Sequence, residues 1–427
     1  MKTLIVKTSK NEEVRRKEME IRIDRVNKDI ESISSFTATP GEGMTRLTFS
    51  KEYMAARSYI AQELKKIGAR LSTKIAGNLR GRLEGSVQAS PAVMMGSHID
   101  SVVHGGRFDG VTGVVSALEV ARVIAENRIA HRHPIDVVIF PEEEGSRFGS
   151  IMIGSRAWAG KLTIDDLHRF KDKDGISYME AMDQSGLIPD DQSILKPEEV
   201  KAMLEPHIEQ SLVLESKGFQ IGVVEGIAGA KQFLVTIRGV SNHAGATPMA
   251  LRFDALQGAV RIIAAAEEMA AHEMGRNTVA TVGFLRCEPG QANVIPGRVQ
   301  FTIDIRDPDP GLLDRAAKRM KAIIEKTCQD RKLTCEIQPR SDTPPILLSK
   351  NLAHLIEETA QERGVKLLRM TSGALHDSSI LAESMEVGMI FLPSKDGRSH
   401  CPEEFTDMKD IKLGAEILLA TVLKLSN

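Results

Sequence analysis

Aromatic side chains are scarce in this chain: Phe, Trp and Tyr make up 4% of its 427 residues, with a single Trp and three Tyr. Few platforms are therefore on hand for stacking nucleobases. Neither sign of charge is in excess. The formal net charge is -2, which gives no reason to expect nucleic acid or an anionic membrane as a partner. Cysteine is also rare. Cys287, Cys328, Cys335 and Cys401 contain no C-x-x-C pair, so they read as reduced thiols and not as a disulfide frame. No stretch approaches the ~20 apolar residues of a membrane span. The N-terminal stretch MKTLIVKTSKNEEVRRKEMEI has TLIV as its longest apolar run, short of the roughly 7–15 residues of a signal-peptide core. A cytoplasmic protein is expected, with a charged and frayed N-terminal extension.

What is present exceeds one core. Single hydrophobic cores stop growing beyond about 250–300 residues, so at least two domains are expected. Apolar spacing predicts helices over Ile21–Ser35 and Lys51–Gly68, the second with Gly68 as its stop. Strands are expected around Leu79–Leu83, Val93–Gly96 and Asp136–Phe140, with a helix over Gly113–Asn127. Strands alternating with helices indicate an α/β sheet covered on both faces. The pattern changes from about Ala230. Strand-like AKQFLVTIRGV, a helix from Asp254 to about Met274, strand-like TVATVGFLRCE and NVIPGRVQFTIDIRD, and a helix from Gly311 to Gln329 read as a small α+β domain. The expected division is 1–227 and 343–427 for the first domain, interrupted by 228–342. The return carries a helix at Asn351–Arg363, strands at Leu367–Met370 and Met389–Pro393, and a final helix at Asp410–Leu425.

The chemistry concentrates in His98, Asp109, Glu144, His207 and His400. The run AVMMG leads into His98, and Asp100 follows two residues later. Alternate residues of an extended chain point the same way, so Asp100 is expected to back the His98 ring as carboxylates back metal-bound imidazoles. Asp109 lies in the flexible loop FDGVTG. The apolar run DVVIF leads into Glu142, Glu143 and Glu144. Three adjacent acids after a buried strand are costly unless something positive faces them, and two metal ions would serve.

These motifs resemble the dinuclear metallohydrolases of the aminoacylase and carboxypeptidase superfamily. Within it the chain is similar to the branch that cleaves ureido groups: N-carbamoyl-L-amino-acid hydrolases, β-ureidopropionases and allantoate amidohydrolases. GSHIDS, GGRFDG, PEEEGSRFG, EPHIEQ, SNHAGATPM, NVIPG, DIRD, SGALHDS and SHCPEE stand in that family's order over nearly the whole chain.

The resemblance implies a mixed-sheet α/β catalytic domain of zinc-exopeptidase type with an inserted lid and dimerisation domain. It implies two divalent ions, Zn²⁺ or Mn²⁺, with Asp109 bridging, His98 and His207 on one ion, and Glu144 and His400 on the other. The family pattern uses His400 and not Cys401. Glu143 is expected to be the general base, and Glu142 a solvated acid. His243 is expected to stabilise the oxyanion, often across a homodimer, with Asn293 beside the same substrate. Arg306 suits a substrate carboxylate; the competing reading pairs it with Asp304 or Asp307. Gln210 suits a ureido group, where peptidase relatives more often carry an acid. Gly373, His376 and Asp377 receive less weight, although a Gly373 backbone amide could meet substrate. Leu375 departs from the Gly or Ala common in relatives. His104, His131, His133, His168, His272 and His354 read as surface or structural.

The expected reaction releases ammonia and carbon dioxide from a terminal carbamoyl group. EEEGSRF, ESKGFQIGVV and TATPGEGMTRLTFSKEY lean to allantoate, with N-carbamoyl-L-amino acids the close alternative. A dipeptidase or aminoacylase would use the same metals and base, but Gln210, Asn293 and Arg306 argue against it. A non-catalytic binding protein would be expected to have lost Glu143 or a ligand.

Overall fold

A computed structural model describes residues 20–190 and 192–427. The predicted N-terminal extension lies almost wholly outside them. In chain order the first elements are α1 (Ile23–Ser34), α2 (Lys51–Lys66), β1 (Arg70–Thr73), β2 (Leu79–Leu83), β3 (Ala92–His98), α3 (Val111–Glu126) and β4 (Ile135–Phe140). Short helices α4 (Ile153–Trp158), α5 (Ile164–Arg169) and α6 (Tyr178–Gln184) precede β5 (Val200–Ile208), α7 (Val213–Lys217) and β6 (Ile221–Ile227). There follow β7 (Gly229–Arg238), β8 (Asn242–His243), α8 (Ala255–Glu268), β9 (Val279–Thr281), β10 (Leu285–Glu288), β11 (Val294–Ile295), β12 (Arg298–Asp307), α9 (Pro310–Asp330) and β13 (Thr334–Thr343). The last elements are β14 (Ile346–Leu347), α10 (Lys350–Gln361), β15 (Leu367–Ser372), α11 (Asp377–Leu381), β16 (Val387–Leu392) and α12 (Met408–Ser426).

The chain forms two compact units. One comprises the residues up to Glu225 with Leu348–Met370 and His376–Asn427; the other is Gly226–Leu347 with Thr371–Leu375. The expected insert ran over 228–342. The second unit takes more because β14 pairs with the last two residues of β6, and Ala228 N donates to Ser372 O at 2.8 Å.

In the first unit the sheet order is β1-β2-β4-β3-β5-β16-β6, with β15 also paired to β6. β4, β3, β5 and β16 run parallel; β1, β2 and β6 join antiparallel. This is the mixed α/β architecture expected. Parallel strands covered on both faces read as continuous apolar runs, and every residue of β3 and β4 is buried. α3 is buried almost all round, from Val111 to Ile124. At Gly113 a Cβ would lie 2.3 Å from the Pro206 carbonyl oxygen, so only glycine lets α3 approach β5 this closely. Because β3 and β5 are parallel, His98 and His207 both fall at C-terminal strand ends, where α/β sheets collect ligands.

The second unit is an antiparallel sheet, β10-β12-β7-β13 with β9 on β12, packed with α8 and α9 around Phe233, Val235, Phe301 and Ile303. β12 alternates buried and half-buried residues along its length, the period-2 pattern of a sheet packed on one face. The helix expected to run to Met274 ends at Glu268 and continues as a wider turn over Met269–Glu273.

Candidate metal centre

The site in the first unit is assembled from loops that follow buried strands. His98 is the last residue of β3, and its Nδ1 lies 3.1 Å from the Asp100 carbonyl oxygen. The Asp100 carboxylate is farther, at 3.9 Å, and accepts instead from Glu144 N at 3.1 Å. The main chain of Asp100 therefore orients the ring, while its side chain fixes the loop that carries Glu144. This differs from the direct carboxylate backing expected, because the chain turns after His98 and the alternation of a strand no longer applies. His207, at the end of β5, is oriented likewise by the Ile208 carbonyl, 2.9 Å from its Nδ1.

With Nδ1–H donated to a carbonyl in each ring, both Nε2 atoms present lone pairs. Both face the same atom: His98 Nε2 and His207 Nε2 each lie 3.3 Å from Asp109 Oδ1. Gly110 N also donates to His207 Nε2 at 3.1 Å, in keeping with an unprotonated nitrogen. The other carboxylate oxygen serves a second group. His400 Nε2 is 3.5 Å from Asp109 Oδ2 and 3.4 Å from Glu144 Oε2. In each of the groups His98–Asp109–His207 and Asp109–Glu144–His400, the donor atoms lie within 4.8 Å of one another.

Lone pairs and carboxylate oxygens repel unless a cation sits among them. The donor set of nitrogen and oxygen fits Zn²⁺ or Mn²⁺. Electrostatics point the same way. Burial, with Asp109 nearby, pushes Glu144 up to about 7. Burial, with Glu144 beside it, pushes Glu143 well above the carboxylate range. Burial disfavours a charged His98, yet Glu143, Asp109 and Asp100 outweigh it and raise its pKa well above the usual. Hydrogen bonding to Asp109 lifts His400 to about 9. Without a cation, then, the cluster holds extra protons.

Glu143 belongs to neither donor group; its Oε2 is 3.8 Å from His98 Nε2. Glu142 is not the solvated acid expected. It is fully buried, and its Oε1 accepts from Arg147 N at 2.9 Å and Phe148 N at 2.8 Å. A carboxylate oxygen held by two successive main-chain N–H groups shapes a loop, and three identical letters in sequence could not distinguish that role. Gln210 Nε2 donates to Asp109 Oδ2 at 2.7 Å, and its buried Oε1 accepts no hydrogen bond among the described residues. Glu142, Gln210 and His400 have φ of 58°, 59° and 57°. Such left-handed backbone costs roughly 1–3 kcal/mol per residue and clusters at functional sites.

Of the residues given less weight, His376 stands beside a candidate ligand. It is buried edge-on against the His207 ring, centroids 4.6 Å apart, and burial holds its pKa well below the usual. Asp377 is buried and accepts from Ser155 Oγ at 2.5 Å. Sequence reading passed over Glu205. It is fully buried two residues before His207 and accepts from Ser97 Oγ at 2.7 Å and Ser378 N at 3.0 Å, tying β5 to β3 and α11.

In the second unit, His243 is exposed on β8, and β11 pairs Val294 with it. Ala244 N donates to Asn293 O at 2.9 Å, so His243 and Asn293 stand side by side. Gly245 N and Ala246 N both donate to His243 Nδ1 at 3.1 Å. A neutral His243 therefore carries its proton on Nε2. Arg306 takes up the competing ion pair, with Nε 3.0 Å from Asp304 Oδ1, and Nη1 donates to Gly373 O at 2.7 Å. Gly373 thus offers its carbonyl to Arg306.

The model of Peptidase family M20/M25/M40 matches residues 94–424. The chain is similar to an N-carbamoyl-L-amino acid amidohydrolase of Geobacillus stearothermophilus, 41% identical over 91% of this chain and 94% of that one. An allantoate amidohydrolase of Bacillus subtilis is 34% identical over 93% of this chain and 96% of its own. Among solved structures, a hydantoinase/carbamoylase family amidase from Burkholderia multivorans superposes with a TM-score of 0.92 at 33% identity, covering 96% of this chain and 98% of that one.

Proposed function

The chain belongs to peptidase family M20/M25/M40, among its amidohydrolases, and on that premise we propose that it hydrolyses the terminal ureido group of a ureido acid. Water cleaves the C–N bonds, and the carbamoyl group leaves as ammonia and carbon dioxide while the substrate nitrogen remains as an amine. The carrying observation is the pair of donor groups that share Asp109, with Glu143 beside them and outside both.

His98, His207 and Asp109 Oδ1 would hold one divalent cation, and Glu144, His400 and Asp109 Oδ2 the other. When bound, Zn²⁺ or Mn²⁺ supplies Lewis-acid polarisation and lowers the pKa of water in the site. Glu143 takes the proton of the attacking water and returns it to the leaving nitrogen. The unpartnered Oε1 of Gln210 accepts from the ureido NH₂. His243 donates Nε2–H to the developing oxyanion, and the Asn293 amide adds a second donor. Arg306, after its bonds to Asp304 and Gly373, keeps one hydrogen on each Nη, a fork that suits a substrate carboxylate. The exposure of His243 on a separate unit suits a homodimer in which this histidine completes the partner's site.

Two observations bear on the substrate. Whole-chain identity is 41% to a named carbamoylase against 34% to a named allantoate amidohydrolase, whereas the segments quoted above lean to allantoate. Identity over the whole chain samples more positions, so N-carbamoyl-L-amino acids are the first reading and allantoate the second. Ammonia release after Mn²⁺ or Zn²⁺ loading tests this. kcat/KM should be at least about tenfold higher for a carbamoyl amino acid, a difference of about 1.4 kcal/mol in transition-state binding. The reverse ratio would move the assignment to allantoate, and ammonia from neither would overturn the ureido reading.

A further inference from the structure

Beyond the ligands themselves, we propose that Glu404 is the positioning residue that presents Asp109 to both donor groups, an inference that rests on the metal reading above. Asp109 sits in an irregular loop ahead of α3, and a loop carboxylate shared between two cations has to be held in place. Glu404 is 97% buried, being 3% exposed. Its Oε1 accepts from Phe108 N at 2.8 Å and from Asp109 N at 3.0 Å. Its Oε2 faces Ser399 Oγ at 2.8 Å, and that hydroxyl also lies 2.7 Å from Asp109 Oδ2. One side chain therefore holds the main chain of the Asp109 loop, and the Ser399 hydroxyl, with a single hydrogen to give, lies between the two carboxylates. The glycine at 106 follows from this insertion: a Cβ there would fall 2.0 Å from the Glu404 Cδ. Ser399 and Glu404 flank the ligand His400, so the same segment supplies a donor of the second group and the clamp of the shared one.

Glu404→Ala would leave two buried N–H groups unpaired and free the loop. Glu404→Gln keeps an acceptor oxygen for both N–H groups, and its NH₂ can donate to Ser399 Oγ, which then donates to Asp109. The readout is Mn²⁺ affinity of the folded, metal-stripped protein by chelator competition. Loss of a partner behind a metal ligand typically costs about 10–100-fold in affinity. That loss is expected for Glu404→Ala, with recovery to within a few-fold of wild type in Glu404→Gln. General destabilisation would lower Tm but leave affinity of the folded protein unchanged. Wild-type Mn²⁺ affinity in Glu404→Ala, or equal damage in Glu404→Gln, would overturn the inference. Should Glu404→Ala not fold, Ser399→Ala serves: unchanged affinity there, together with damage in Glu404→Gln, would overturn it too. Failure of wild-type protein to bind Mn²⁺ would instead remove the metal reading on which it rests.

Discussion

Glu143→Gln keeps the volume of the side chain and removes its capacity to take a proton. The carboxylate lies outside both donor groups, 3.8 Å from His98 Nε2, so metal content should be unchanged. The substitution also removes a buried acid whose charged form is disfavoured by burial and by Glu144. Tm should therefore stay at or above that of wild type. Turnover is another matter. General acid–base help is worth roughly 10²–10⁴-fold, or about 2.7–5.4 kcal/mol at about 1.36 kcal/mol per decade. The assay is single-turnover ammonia release with elemental analysis of the same sample. Two metals per chain with kcat down at least about a hundredfold is the expected result. One metal lost, with the rate per remaining site retained, would mean that Glu143 and Glu144 exchange roles and would refute the reasoning.

Further outcomes are expected elsewhere. Arg306→Lys keeps charge but loses the fork, so KM should rise about 10–100-fold, from the 1.5–3 kcal/mol of a hydrogen bond to a charged group; metal occupancy should not change, and an unaltered KM would rule out the carboxylate clamp. Mixing His243→Ala chains with Glu143→Gln chains should restore part of the activity if His243 acts across a dimer, since one heterodimer site then carries neither defect; no recovery despite confirmed subunit exchange would assign His243 to its own chain or to no catalytic role. The metal-stripped protein should lose stability as pH rises from about 5 to 9, because Glu142 and Glu144, each near 7, and His400, near 9, hold protons in the folded state that the unfolded chain releases at lower pH. Thermal melts across that range check the sign, and a Tm that rises with pH would contradict the cluster's electrostatics.

Much of the first unit could be read directly from sequence because its strands are buried on both faces. AVMMG and VVIF are unbroken apolar runs, and the metal-type residues follow within a few positions. β5 was harder to see. Its last residues, Glu205, Pro206 and His207, interrupt the apolar run, and Pro206 is tolerated because the pairing with β3 ends at Leu204. Glu205 and Glu142 look like surface acids in sequence, yet both are buried; Glu205 accepts from Ser97 and Ser378 of distant segments, and Glu142 from the main chain of Arg147 and Phe148. Glu404 is hidden for the same reason, since its partners Phe108 and Asp109 are nearly three hundred residues away. Periodicity reports which face of an element is buried. It does not report which loop a carboxylate will close.

The most direct test of a shared-carboxylate ureidohydrolase is a titration of Mn²⁺ into the metal-stripped chain with ammonia release followed from an N-carbamoyl-L-amino acid and amine release from a dipeptide. The account predicts that ammonia release rises to a plateau at two equivalents per chain while the dipeptide remains uncut. A plateau at one equivalent, full activity without metal, or faster cleavage of the dipeptide would contradict it.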